Sequence, residues 1–170
     1  TFFVFAQKKT HGYTLVTTQK KEPYVMSNCI RLTLNIKDES INFKKDYLTE
    51  ELINGIRTLV FSGTHNPEVP KSCPKCGTVN EDYSIIKNGT KIMSIKLPKI
   101  STRLAILRLK KQRFLCRSCN RSFISTTTIV KFNHSISVNT MLSALIELKG
   151  KSSVKDISER HNISHTTLHN

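Results

Sequence analysis

At 170 residues and 38% hydrophobic content, with no Trp, the chain has room for one ordinary domain or two small ones with modest cores. A formal net charge of +15 points to a phosphate-bearing partner, and no apolar run approaches the length of a membrane span. Five cysteines, four of them in metal-binding spacing, fit a reducing cytoplasm and argue against a secreted disulfide framework.

Residues 1–25 contain no Met and mix aromatic with Lys-rich pieces. Met26 opens a more regular stretch, so 1–25 is expected to be an upstream extension. The opening Thr1–Ala6 is too short for a secretory core. Residues 26–70 read as a β-containing segment. Over 30–36 apolar and polar residues alternate, the period of a half-buried strand. A short helical turn is expected over 48–53, a second strand over 55–62, and a loop carrying Pro67 and Pro70 over 63–71. Cys29 is expected to be a small buried side chain.

Cys73-Pro-Lys-Cys76-Gly77 and Cys116-Arg-Ser-Cys119 are two C-x-x-C steps. In each, a tight turn aims two thiolates at one metal, and together Cys73, Cys76, Cys116 and Cys119 supply the closed four-sulfur shell of a structural Zn²⁺. Gly77 serves the positive φ that such a turn needs on its way out. A redox dithiol or disulfides are the competing readings, and two pairs favour zinc. The interval between the pairs exceeds the usual ribbon insert of about 15–20 residues. It is therefore expected to hold a small antiparallel sheet: a hairpin over 83–97 turning at Asn88-Gly89, then a strand over 104–115. Phe123 is expected to cap the ribbon core, and the ribbon is placed at 71–127. Residues 71–133 carry most of the excess charge, with Glu81 and Asp82 their only acidic residues. Lys110, Lys111, Arg113, Arg117 and Arg121, grouped about the second pair, are candidate phosphate contacts on DNA.

From 134 to 170 the period becomes helical. A helix over 137–149 is followed by Gly150 as a stop, and Ser153 with Asp156 resembles a capping box for the next. That helix ends at Asn162, a residue able to take φ > 0. Ser164 is an N-cap candidate for a further helix. The pattern reads as an incomplete helix-turn-helix, presenting Ser164, His165, Thr166, Thr167 and His169 to the major groove. The expected fold class is thus α+β: a zinc-ribbon β domain, then an all-α helix-turn-helix domain.

The order CPKCG, KKQRFLC, CRSCNRSF and the helical tail, after an opening IRLTLNIKDESINF, resembles the amino-terminal region of the ISL-three family of insertion-sequence transposases, over about residues 26–170. The resemblance implies a DNA-binding half that recognises terminal inverted repeats, with double-stranded DNA as partner and a nucleoid-associated, cytoplasmic location. It also implies that cutting and joining belong to a ribonuclease-H-like domain with a DDE triad, for which these residues offer no carboxylate cluster. No catalytic residue is therefore expected here. The chain reads as a truncated DNA-binding portion, with homodimerisation through regions outside it. A stand-alone zinc-ribbon regulator is the alternative.

Overall fold

The computed structural model describes residues 6–8, 13–15, 22–150 and 152–169, with side chains over 27–150 and 152–168. Strands β1 (Ala6–Lys8) and β2 (Tyr13–Leu15) form a small antiparallel pair. The rest of the expected extension lies almost wholly outside the described residues.

Helix α1 (Glu22–Thr33) occupies ground where alternation predicted a strand. Ser27, Ile30, Arg31 and Leu34 are all buried, at the i, i+3, i+4, i+7 spacing of one helical face, whereas Leu32 is 85% exposed. Two periods competed over 30–36, and the helical one is extended by a polar pair. Ser27 Oγ donates to Phe43 O and accepts from Phe43 N, both at 3.1 Å, which fixes α1 against the next strand. Cys29, on the outer side of the helix, is exposed rather than buried.

Strands β3 (Ile41–Ile53) and β4 (Ile56–His65) form a hairpin. Its two-residue turn is Asn54-Gly55, with φ of 50° and 77°. The expected helical turn over 48–53 is instead the end of β3, since this Asn-Gly signal forces a strand on both sides. Strand β5 (Ile85–Ile100) runs antiparallel to β6 (Arg103–Cys116), and β6 lies parallel to β4. The short β7 (Arg121–Ile124) pairs with the far end of β6, and the main order is β3-β4-β6-β5. Asn88-Gly89 is no hairpin turn: Lys87 pairs with Phe114 and Thr90 with Gln112, so two residues oppose one and the strand bulges. Ser101-Thr102 makes the turn instead, with φ of 46° and 69°.

The core lies between α1 and the sheet, and includes Ile30, Leu34, Ile41, Phe43, Phe61, Ile95, Leu97, Leu107 and Leu109. Beyond it come α2 (Val138–Leu148), α3 (Val154–His161) and α4 (His165–His169). The Ser153 cap and the Asn162 turn fall where the residues placed them, and Ser137 caps α2 without having been singled out. Ser137 accepts from Thr140 N, Ser153 accepts from Asp156 N, and Asn162 is left-handed at φ 53°. The expected α+β class with a separate all-α helix-turn-helix domain does not stand. The described residues are mostly strand, with four short helices, and no all-α helix-turn-helix domain follows the ribbon. The reason is packing. Lys96 O on β5 accepts from Ser137 N at 2.9 Å and from Thr140 Oγ1 at 3.1 Å, so α2 is an attachment of the sheet. α3 contributes Ile157, the turn after it Ile163, and α4 the partly buried Leu168 to one small cluster with Ala144 of α2, too little to stand as its own core.

Candidate metal centre and basic surface

The first cysteine pair sits in the loop after β4, and the second spans the β6–β7 turn. Cys73 N donates to Thr78 O and Gly77 N to Cys73 O, both at 2.9 Å, so the first turn closes on itself. Lys75 N points at Cys73 Sγ, 3.4 Å away. The residue after each pair is left-handed, Gly77 at φ 77° and Asn120 at φ 53°. The Gly77 reading holds, and Asn120 does the same work in the second turn, as Asn tolerates αL. Arg117 N donates to Ser84 O at 2.8 Å, tying the second turn to the segment that leads from the first into β5.

All four cysteines come together, with every sulfur within 4.8 Å of the others. Cys73–Cys119 and Cys76–Cys116 are separated by 3.9 and 3.8 Å. Thiolates about 2.3 Å from one zinc in a tetrahedron stand about 3.8 Å apart, so the cage has the size the ion needs. None of the cysteines is in a disulfide. Thr78, whose hydroxyl lies 3.2 Å from Cys76 Sγ, draws that thiol down to about 6 by side-chain and then backbone hydrogen bonds. Burial pushes Cys119 up to about 11. One sulfur thus readily carries charge and another resists it, and a bound dication is what lets all four ionise together. Beneath the cage Cys73, Ile85, Phe114 and Cys116 are buried, with Phe123 against them. The Phe114 and Phe123 rings lie 5.7 Å apart, as expected of a cap on a small core. His65 takes no part in the cage; it is buried at the end of β4, with Nδ1 2.8 Å from Ser125 Oγ.

The basic candidates divide by their position on the strands. Lys110, Arg117 and Arg121 are exposed and Arg113 is half-buried, whereas Lys111 is buried. Adjacent strand residues point to opposite faces, so Lys110 and Lys111 cannot serve one surface. Arg108 is held by both oxygens of Glu51 at 2.5 and 2.6 Å, and Arg57 and Arg103 reach Glu50. The carboxylates of β3 therefore neutralise the middle of the sheet. Among the described residues, Lys110, Arg113, Arg117 and Arg121 have no such partner. In the tail, Ser164 and Thr166 are exposed, and Ser164 Oγ caps Thr167 N at 3.3 Å. His165 is exposed too. The side chain of His169 lies outside the described residues.

Sequence reasoning missed Thr78, Asn120 and the His65–Ser125 pair. Asn120 alone had a signal, its place one residue after a C-x-x-C step.

Residues 70–119 match the family model described as the zinc-finger of transposase IS204/IS1001/IS1096/IS1165. No curated protein and no solved structure matches the chain. No helix among the described residues is long and apolar enough to cross a membrane. The cage dimensions and the matched segment coincide: residues 70–119 form a zinc ribbon of the ISL-three transposase type, a DNA-binding and non-catalytic module whose structural Zn²⁺ is held by Cys73, Cys76, Cys116 and Cys119.

Proposed function

We propose that the chain binds double-stranded DNA at the ends of an insertion sequence, as the recognition part of a transposase. The observation that carries this reading is the group of cations around the second cysteine pair that no carboxylate among the described residues neutralises, on a backbone that zinc makes rigid. Lys110, Arg113, Arg117 and Arg121 contact phosphates. Ser164, His165, Thr166, Thr167 and His169 supply what base discrimination there is. Arg117 and Arg121 flank the end of β5 where the ribbon meets it at Ile85, and Lys110 lies nearer the middle, opposite Ile92. Lys96 Nζ donates to Asn162 O beside the second group, at 2.6 Å, so Arg117 and Arg121 lie about eleven strand residues from that group. At a strand rise of about 3.3 Å per residue that separation is about 35 Å, close to one turn of B-DNA.

Gel shifts of terminal-repeat and scrambled duplexes at several salt concentrations test the assignment. Arg117→Ala should weaken binding to both duplexes about equally and lower the salt slope by about one. Thr166→Ala should narrow the difference between the two duplexes and leave the slope unchanged. If Arg117→Ala changed sequence preference with the slope intact, the phosphate role would be wrong. Equal binding of both duplexes by the unmodified protein at every salt would remove terminal-repeat recognition.

A further inference from the structure

Three neighbouring strands change character at the same row. On the face that covers the main core, β5 presents Ile95 and Met93, β6 presents Leu107 and Leu109, and β4 presents Phe61 and Gly63. One step further the row reads Lys91, Lys111, His65, with Lys111 in register with both neighbours. Directly opposite residues share a face, and like charges so placed repel one another. Lys111 is only 6% exposed, and among the described residues its side chain makes no hydrogen bond or ion pair. Asp38 acts on it at longer range only; that carboxylate accepts from Ser40 N and lies 3.8 Å from His65 Nε2. A cation on so buried a side chain, with no acceptor in contact, is one that an anion would stabilise.

The segment after β7 roofs this row and leaves a cavity of about 280 Å³, lined by Lys91, Lys111, Ser125, Thr127 and Lys131 among others. Lys91 and Lys131 are exposed, while Thr127 Oγ1 is wholly buried and has no hydrogen-bond partner. Three lysines and a residue with an unused hydroxyl thus line one space, whose wall is otherwise partly apolar, with Met93, Ile124, Val130 and Phe132. Ser125 is held in place from behind by His65.

We propose that this cavity is an anion site that takes a phosphate group, with Lys111 as its buried cation, Thr127 as its hydroxyl donor, and Lys91 and Lys131 at its mouth. The chemistry is that of a phosphate oxygen, and its source is either a backbone phosphodiester of bound DNA or free phosphate. Only the first source rests on the DNA-binding reading.

The experiment uses the zinc-loaded chain and inorganic phosphate, with chloride at matched ionic strength as control. At phosphate about ten times its Kd, Tm should rise by about 3–6 °C over the control. Lys111→Met, which keeps the shape and removes the charge, should abolish that rise while raising Tm in the absence of phosphate. Should Lys111→Met fail to fold, judged by zinc content and circular dichroism, the exposed Lys131→Ala serves instead and should weaken phosphate binding several-fold. DNA titrations then name the source. A salt slope lowered by about one in the variant marks a DNA phosphate, and an unchanged slope with the Tm effect intact marks free phosphate. Absence of a phosphate-specific Tm rise, together with an unchanged DNA slope in the variant, overturns the site. It would leave the ribbon's DNA binding untouched.

Discussion

Arg31 shows how one polar side chain decides local structure. Its guanidinium is buried where α1 turns into β3, and Nη1 donates to Glu39 O at 2.8 Å and Ile41 O at 2.9 Å, while Nη2 reaches Asn28 Oδ1. Arg31→Met should cost about 2–4 kcal/mol in urea denaturation, because two carbonyls lose their donor in a dry place. Arg31→Lys should recover only part, since a single ammonium cannot reproduce the fork. A cost under about 0.5 kcal/mol for the Met variant would mean that water replaces the guanidinium. His65 gives a second, pH-dependent term. Burial lowers its pKa, with Lys111 adding to the shift and Asp38 opposing it. Above the ordinary His value both folded and unfolded chains hold a neutral ring, so this group adds no slope. As pH falls below about 6.5 the unfolded chain takes up a proton first, and stability declines until the folded pKa is reached. His65→Gln should flatten the decline in stability that sets in below about pH 6.5. An unchanged slope in that variant would assign the decline to other groups.

Among the elements, what could be read from sequence depended on whether the signal was local. The two C-x-x-C turns, the Ser153 cap and the left-handed Asn162 each rest on residues within a few positions of one another, and all were legible. Strand β6 was read to within one residue at each end, although it is central, with β4 on one side and β5 on the other, and its outer face is half-covered. The separate helical domain was misread because helical spacing reports an apolar face but not what that face lies against; here α2 is bonded to β5. The two Asn-Gly pairs make the same point. Asn54-Gly55 turns the chain, and Asn88-Gly89 bulges it, because β6 supplies partners on both sides of the second. The turn after β5 falls on Ser101-Thr102, both left-handed without the residues that favour it. A β-branched residue is penalised there by about 1–2 kcal/mol. Thr102→Gly, with Ser101→Asn, should therefore stabilise the protein by about 1 kcal/mol and raise the urea midpoint. A lower midpoint would show that Thr102 makes compensating contacts that outweigh its backbone strain.

Across the whole molecule, two cores of unequal strength share the same two strands. β5 and β6 run from the main core to the ribbon, where only Cys73, Ile85, Phe114 and Cys116 are fully buried under the cage. So small a cluster cannot by itself offset the entropy of ordering the 71–84 loop and β7. Structural zinc in small modules contributes on the order of 10–16 kcal/mol, so the metal is what folds this end. The main core has no metal ligand in it and needs none. Removing zinc with a strong chelator should therefore melt the ribbon and spare the rest. Amides of 73–84 and 117–124 should lose hydrogen-exchange protection, while those of β3, β4 and the Met93–Leu97 part of β5 keep it. DNA affinity should fall in the same step, because Arg113, Arg117 and Arg121 lose the rigid frame that aligns them, and readdition of zinc should restore both. Cys116→Ser should mimic the chelator at any zinc level, as one lost sulfur opens the cage. A single transition in which all protected amides exchange together would contradict this picture. It would mean that the continuity of β5 and β6 couples the two cores into one cooperative unit, with zinc holding the entire sheet.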